Sequence, residues 1–283
     1  MFDRILVVDW SAANKPTTRP EDSIWIADTR GASFLTNCTT RDEATMRIAD
    51  AIREDERTLI TLDFGFGYPV GNDQLPGGGR WDAMWSYIGA NLTDDADNGS
   101  NRFDVAAKLN RSFSQGGPFW GYPLPHEGRY PGLPRTKPSY VERGLNELRH
   151  VDRKAKTGSS VFKLFTTGSV GSQCLTGICR MEQLRAEFGD RIAIWPFETK
   201  FADDIDAPAV IAEIYPSLWP QNCDHSVKDA RQVATLAQGF ERYLRRNEIA
   251  KLMDGPRGDG AARAAALSHE GWIVGFADEA LPL

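Results

Sequence analysis

Two aspartates stand directly after short apolar runs, and this placement is the strongest chemical signal in the sequence. Asp9 follows the run ILVV (5–8), and Asp63 follows TLITL (58–62). A carboxylate at the edge of an apolar core costs free energy unless a backbone cap, an arginine or a metal ion is its partner. If the two runs are neighbouring strands of one sheet, we expect the two carboxylates to face each other and to bind a divalent cation.

Two further acids extend this prediction. Glu213 lies in the apolar stretch AEIYP, and Asp229 opens a long predicted helix. Carboxylates that converge at strand ends form the hard, oxygen-rich site that Mg²⁺ or Mn²⁺ prefers. With two metal ions, one activates a water molecule and the other stabilises the leaving oxygen of a phosphodiester.

Each of these acids also has a simpler interpretation. Asp9 and Asp63 would equally cap the turns that follow them. Asp229 stands where the helix dipole favours an acid. An arginine would serve Glu213 as well as a metal ion, so the prediction depends on the four acids being together.

The composition indicates a soluble globular protein. The 283 residues are 41% hydrophobic and 25% charged, long enough for a substantial core, and the four cysteines lack a CxxC pair, which predicts buried free thiols. No apolar run approaches the roughly 18 residues of a membrane span, and no signal peptide is visible. We therefore expect a cytoplasmic protein without a membrane partner.

The charge is unevenly distributed. A net charge of −6 argues against a protein that coats duplex nucleic acid through bulk charge. However, residues 102–163 contain twelve basic and five acidic residues. This stretch is either a solvated helical face or a local platform for an anionic ligand such as phosphate or nucleic acid.

The pattern of apolar residues predicts an α/β protein. Strands at 4–12, 23–29 and 33–38 form an antiparallel meander, followed by an amphipathic helix at 41–54 and a strand at 58–64. After residue 165 we expect further helices and strands in the order helix 177–189, strand 191–198, strand 210–216, helix 227–249 and a short alanine-rich helix within 258–274.

The region 65–165 breaks this pattern. It is dense in glycine and proline, with helices at 81–92 and 102–113, a possible strand VFKLF at 161–165, and no apolar periodicity sufficient for a core of its own. We therefore predict a single domain over 1–283 with a lid-like insertion at about 65–165.

A glycine-rich segment, TTGSVGSQ (166–173), follows the insertion. It lacks the GxxxxGK[ST] pattern of a Walker A loop. Its backbone N–H groups could still hold a phosphate, and the alternative is a plain turn that leads into the next helix.

Taken together, the meander, the helix and the strand that ends in a second aspartate resemble the ribonuclease H-like fold. More closely, the chain resembles a domain-of-unknown-function family of predicted nucleases with that fold. The resemblance is spread over most of the chain in short pieces, namely VVDWS, DFGFGYP, RxxD at 149–152, SVFKLFTTGSVGSQCLTGI (160–178), AEIYPS and KDA.

The resemblance implies a mixed sheet flanked by helices and a metal-dependent nuclease or phosphodiesterase acting on nucleic acid or nucleotides. The implied catalytic and metal-binding acids are Asp9, Asp63, Glu213 and Asp229, with Mg²⁺ or Mn²⁺ as cofactor. The residues expected to bind substrate are Arg149, Lys163, Ser169, Gly171, Ser172 and Gln173.

Two alternatives stay open, because the fold does not fix the chemistry and because the chain departs from the family pattern at one position. Enzymes of this fold place a final acid on the C-terminal helix, where this chain has Arg263, with Asp259 before the helix and Glu270 at its end. The first alternative is an actin-like, nucleotide-dependent phosphotransferase, and the second is a non-catalytic accessory or binding protein that retains the fold. The sequence does not identify protein partners.

Overall fold

The fold is built on a mixed β-sheet, seen in a computed structural model that describes residues 2–156, 159–202, 204–277 and 280–283. The strands are β1 (Arg4–Asp9), β2 (Ile24–Asp28), β3 (Leu35–Cys38), β4 (Thr58–Leu62), β5 (Ile192–Ile194) and β6 (Ala209–Glu213). They form one sheet in the order β3-β2-β1-β4-β6-β5. β2 is antiparallel to both of its neighbours, whereas β1, β4, β6 and β5 are mutually parallel.

Helices cover both faces of this sheet. They are α1 (Arg41–Arg53), α2 (Trp81–Asn91), α3 (Arg102–Asn110), α4 (His150–Ala155), α5 (Gly171–Phe188), α6 (Lys228–Arg245) and α7 (Gly260–Ala265). None of the helices in the described ranges is long and apolar enough to cross a membrane.

The alternation of side chains along each strand divides the core into two layers. On one face, Leu6 and Val8 of β1 share a core with α1, α2, α3 and α5. On the other, Ile5 and Val7 share a core with α6 and α7. The strands are therefore buried on both sides, which explains why β1 and β4 are continuous apolar runs.

Helix α6 shows why the chain folds in this way locally. Val233, Leu236, Ala237 and Phe240 recur at the spacing of one helical face, and all four are buried. This face packs on β1 and β2. The packing brings the beginning of α6 to the sheet edge at which β1 ends.

The region 65–165 packs against the sheet. Its apolar side chains, Phe66, Trp85, Phe103 and Phe119 among them, belong to the same core as Leu6 and Ile60. This packing explains why the region has no apolar periodicity sufficient for a core of its own. Its apolar side chains are buried against the sheet.

Two local predictions differ from the structure. VFKLF is not a strand: Lys163 makes an isolated bridge with Trp120 and donates its N–H to the carbonyl of Ser160 in a turn. Helix α5 begins at Gly171, six residues earlier than predicted, so the last three residues of the glycine-rich segment lie in the first turn of a helix.

Candidate active site

Asp9 and Asp63 are neighbours because of the register between β1 and β4. Val8 lies opposite Leu62 in this parallel pair, so the next residues along the two strands are Asp9 and Asp63. The N–H of Asp63 donates to the carbonyl of Val8 at 3.3 Å, which continues the pairing beyond β4. The two carboxyl groups are close enough that each acts on the pKa of the other. The sequence prediction that these acids face each other is therefore matched by the geometry.

The protonation of this pair is strongly perturbed. Burial, the charge of Asp63 and the hydrogen bond to it raise the pKa of Asp9 well above its usual range. Burial also raises the pKa of Asp63 to about 7, although hydrogen bonds from Asp9 and from the N–H of Trp10 act in the opposite direction. Two adjacent carboxyls with raised pKa values share a proton at neutral pH, as coupled acids do.

Asp229 is the third acid near this pair. It lies in the first turn of α6, is half-buried, and lines the same cleft as Asp9 and Asp63. Its charge contributes to the raised pKa of Asp9. Burial raises the pKa of Asp229 itself, Asp22 adds to this shift, and Lys228 opposes it.

Glu213, expected in the acid cluster, lies elsewhere. It is opposite Leu62, and Ile214 is therefore the residue level with Asp63. Because side chains alternate along a strand, Glu213 is on the opposite face of the sheet from the aspartate pair. There its two oxygens accept hydrogen bonds from Arg149 at 2.6 and 2.7 Å, and the side chain is buried.

Arg149, expected to bind substrate, is fully engaged within the protein. It is buried at the N-terminus of α4, and besides Glu213 it binds Asp152 through Nε and Nη2 and the carbonyl of Glu270 through Nη1. Desolvation disfavours its charge, but Asp152 and Glu213 outweigh this effect, and the pKa of Arg149 is raised well above its usual value. This arginine therefore links α4 to β6 and to Glu270, and it does not line the cleft.

The cleft above the aspartate pair has a volume of about 1060 Å³. One wall is the segment 10–23, which Arg41 anchors by donating to the carbonyls of Ser11 and Ala13 at 3.1 and 2.8 Å. The cleft contains basic groups as well as the acids: Lys15, Arg19, Arg102 and Lys228. It is therefore a polar groove of mixed charge, with room for a ligand larger than a single ion.

The beginning of α5 forms another wall. Ser169, Ser172 and Gln173 line the cleft, as the expected substrate-binding role requires. Gln173 donates from Nε2 to the carbonyl of Trp10 at 2.5 Å, which ties α5 to the residue after Asp9.

Lys163 and Gly171 do not line the cleft. Lys163 donates from Nζ to the carbonyl of Thr167 at 2.6 Å and lies over the ring of Trp120. Gly171 is needed for close packing, because a Cβ there would lie 2.6 Å from the carbonyl oxygen of Val161. These two residues shape the turn that delivers α5 to the cleft.

The alternative acids near the last helix are structural as well. Asp259 caps α7 by accepting from the N–H of Ala262 at 2.9 Å. Glu270 is buried and accepts from the N–H groups of Val70 and His150 at 3.1 and 2.6 Å. Neither acid lines the cleft.

Sequence reasoning missed Arg102 as a residue of the cleft. It opens α3, where the helix dipole disfavours a cation, and this unfavourable position was the available signal. The side chain is 5% exposed, and it reaches the cleft from the insertion.

Of the four acids expected to converge, Asp9 and Asp63 are therefore the two that lie directly beside each other. In the described part of the chain, no group of three or more His, Cys, Asp or Glu side chains is placed to hold a metal ion. No family model, no curated protein and no solved structure matched the chain.

Proposed function

We propose that the chain is a metal-dependent hydrolase of phosphodiesters that acts on nucleic acid or nucleotides. The observation that carries this proposal is the Asp9–Asp63 pair, in which two carboxyls are held together at the floor of a polar cleft with raised pKa values. Perturbed carboxyl pairs in clefts are typical of catalytic and metal-binding sites. Such an arrangement costs stability, and a function that uses the pair accounts for this cost.

The pair fits Mg²⁺ or Mn²⁺ by its chemistry. Both ions prefer hard oxygen ligands, and Mg²⁺ commonly binds through one or two carboxylates while it keeps several water molecules. Asp9 and Asp63 would hold the ion, and the polar cleft leaves space for its water and for a phosphate. When bound, such an ion supplies Lewis acidity and lowers the pKa of a bound water molecule.

The other groups of the cleft have defined tasks in this proposal. Asp229 lies near the pair with a raised pKa, so it is suited to accept a proton from an attacking water molecule and to orient that molecule. Lys228 faces the same cleft, where its charge opposes the raised pKa values and attracts an anionic substrate.

The strand order supports the resemblance to the ribonuclease H-like fold. The features on which that resemblance rests are an antiparallel meander, then a helix, then a strand parallel to the first, and β1 to β3, α1 and β4 have this arrangement. The helix that packs on β1 after the last strand is α6, and it carries Asp229. On this basis we assign the role of the final acid to Asp229. The arginine at position 263 on α7 then does not mean that an acid is missing from the site.

The variant Asp9→Asn tests the proposal. We expect it to abolish Mg²⁺- or Mn²⁺-dependent hydrolysis of single-stranded oligonucleotides and of bis-p-nitrophenyl phosphate while the circular dichroism spectrum stays unchanged. Glu21→Gln is the matched control, since it removes one negative charge from an exposed position of the same cleft and should retain activity.

Two outcomes would contradict the proposal. The first is equal turnover by wild type and Asp9→Asn. The second is an absence of metal-dependent hydrolysis in the wild type combined with ATP binding in calorimetry, which would favour the actin-like phosphotransferase.

A further inference from the structure

The guanidinium of Arg102 is a buried cation without a carboxylate partner. Its Nε donates to Ser172 Oγ at 3.0 Å, and its Nη1 donates to Ser100 Oγ at 2.8 Å and to Asn14 Oδ1. These partners are all neutral. Among the described residues, no acid forms an ion pair with Arg102, and Nη2 donates to no acceptor. A buried charge of this kind is costly unless a ligand or a counter-ion neutralises it.

The acid whose charge acts on Arg102 is Asp94, which is paired with two other arginines. Asp94 is fully buried between Arg41 and Arg180, and binds both directly. Burial, together with the neighbouring charge of Arg41, lowers the pKa of Arg102 to about 10, so the side chain is still a cation at neutral pH. Arg102 therefore brings to the cleft a positive charge that no ion pair among the described residues neutralises.

The first turn of α5 adds hydrogen-bond donors at the same place. This helix has 18 residues, no side-chain cap at its N-terminus and no acid in its first turn. The N–H groups of Ser172 and Gln173 lie in that turn, where a helix offers no internal acceptor, and both residues line the cleft. Ser172 is also the residue that Arg102 contacts through Nε, so the guanidinium lies beside the first turn of the helix.

We infer that Arg102 and the N-terminus of α5 form a phosphate subsite that binds a second phosphate group of the substrate, separate from the group hydrolysed at Asp9 and Asp63. The inference that this phosphate belongs to a substrate rests on the proposed function, whereas the binding of phosphate does not. The two positions are connected through Gln173, which contacts the residue after Asp9. Substrates with two or more phosphates, such as oligonucleotides and nucleoside polyphosphates, span both.

Binding in the absence of divalent ions tests the subsite by itself. We expect pyrophosphate to bind the wild-type protein in calorimetry, and Arg102→Gln to bind it about 10- to 100-fold more weakly, as befits the loss of charge-assisted hydrogen bonds. Arg102→Lys keeps the charge and should lie between the two. Asp9→Asn should bind as tightly as wild type, because the aspartate pair shares a proton at neutral pH and the substitution therefore changes the charge of the cleft little.

A measurement on the wild-type protein keeps the test valid if Arg102→Gln does not fold. In nuclear magnetic resonance titrations with pyrophosphate, we expect the largest amide shifts at Ser172 and Gln173. Shifts confined to other parts of the protein, or absence of pyrophosphate binding at millimolar concentration, would overturn the inference.

Kinetics identify the substrate class. Arg102→Gln should raise KM about tenfold or more for an oligonucleotide or a nucleoside triphosphate, whichever the enzyme hydrolyses, and leave KM for bis-p-nitrophenyl phosphate, which has one phosphate, unchanged. An equal effect on both kinds of substrate would overturn the inference. Arg102-dependent pyrophosphate binding without any hydrolysis would contradict the proposed function and leave the subsite standing.

Discussion

The carboxylate of Asp63 accepts a hydrogen bond from the backbone N–H of Trp10 at 2.6 Å. This bond joins the end of β4 to the residue that follows Asp9. It fixes the orientation of Asp63 through the backbone, so the two acids are held together by the sheet and not by a flexible side-chain contact. Trp10 is itself fixed, because its Nε1 donates to Thr176 Oγ1 of α5 at 3.2 Å.

The raised pKa values of the aspartate pair predict how stability depends on pH. An aspartate that titrates near 4 in the unfolded chain and at about 7 in the folded protein binds more protons when folded between these values. The contribution of Asp63 is therefore fully present below pH 4 and is lost as the pH rises through about 7. Without divalent ions, we expect Asp63→Asn to be more stable than wild type at pH 8 by about 4 kcal/mol, with little difference at pH 4.

Urea unfolding of both proteins at several pH values measures this difference. Glu21→Gln, from the rim of the same cleft, should follow the wild type at every pH. A wild-type protein that gains stability relative to Asp63→Asn between pH 5 and pH 8 would show that the pair is not protonated as described.

A divalent cation should compete with the shared proton. We expect Mg²⁺ or Mn²⁺ to bind more tightly at pH 8 than at pH 5.5 and to release about one proton per ion near pH 6. Calorimetry in two buffers with different ionisation enthalpies measures the released protons. Binding with the same affinity at both pH values, without proton release, would place the ion away from Asp9 and Asp63.

Glu213 is expected to serve stability. Glu213→Gln removes the negative charge opposite the buried guanidinium of Arg149, and we expect a loss of about 3 kcal/mol in the free energy of unfolding. Activity per folded molecule should remain within about threefold of wild type, since the side chain lies on the other face of the sheet from the aspartate pair.

Chemical denaturation and turnover, measured on the same preparation, separate these effects. Glu187→Gln is a suitable comparison, because it breaks an exposed ion pair with Arg53 and should change the stability little. A Glu213→Gln protein with normal stability and a hundredfold loss of turnover would contradict this prediction and indicate that Glu213 takes part in catalysis.

Gly177 permits the close approach of α5 to the sheet. A Cβ at this position would lie 2.3 Å from the ring of Phe64, the residue after Asp63. We therefore expect Gly177→Ala to destabilise the protein by about 2 kcal/mol, although alanine favours a helix more than glycine does. Phe64→Leu in the same chain should recover part of this loss.

Thermal unfolding checks this prediction. Gly260→Ala is the control, because no atom lies within 4 Å of the Cβ position at the start of α7. If Gly177→Ala were as stable as wild type, the packing of α5 on Phe64 would be looser than the structure indicates.

Much of the fold follows from apolar patterns, whereas the site depends on features that such patterns lack. The acids after β1 and β4 could be expected to meet, since two buried parallel strands that are neighbours end at the same edge. Glu213 was misplaced because the pattern does not fix which residue of β6 lies opposite Leu62, and one position along a strand changes the face. The turn that leads to α5 and the role of Arg102 depend on contacts between distant segments.

The register that joins β1 to β4 also makes the site sensitive to misfolding. If β4 slipped by one residue, Asp63 would move to the opposite face and Asp9 would stand beside an apolar or aromatic side chain. Such a molecule would keep its secondary structure but gain nothing from divalent ions. If the pair binds Mg²⁺ as proposed, the stabilisation of a refolded preparation by this ion would report the fraction of molecules whose strands have aligned correctly.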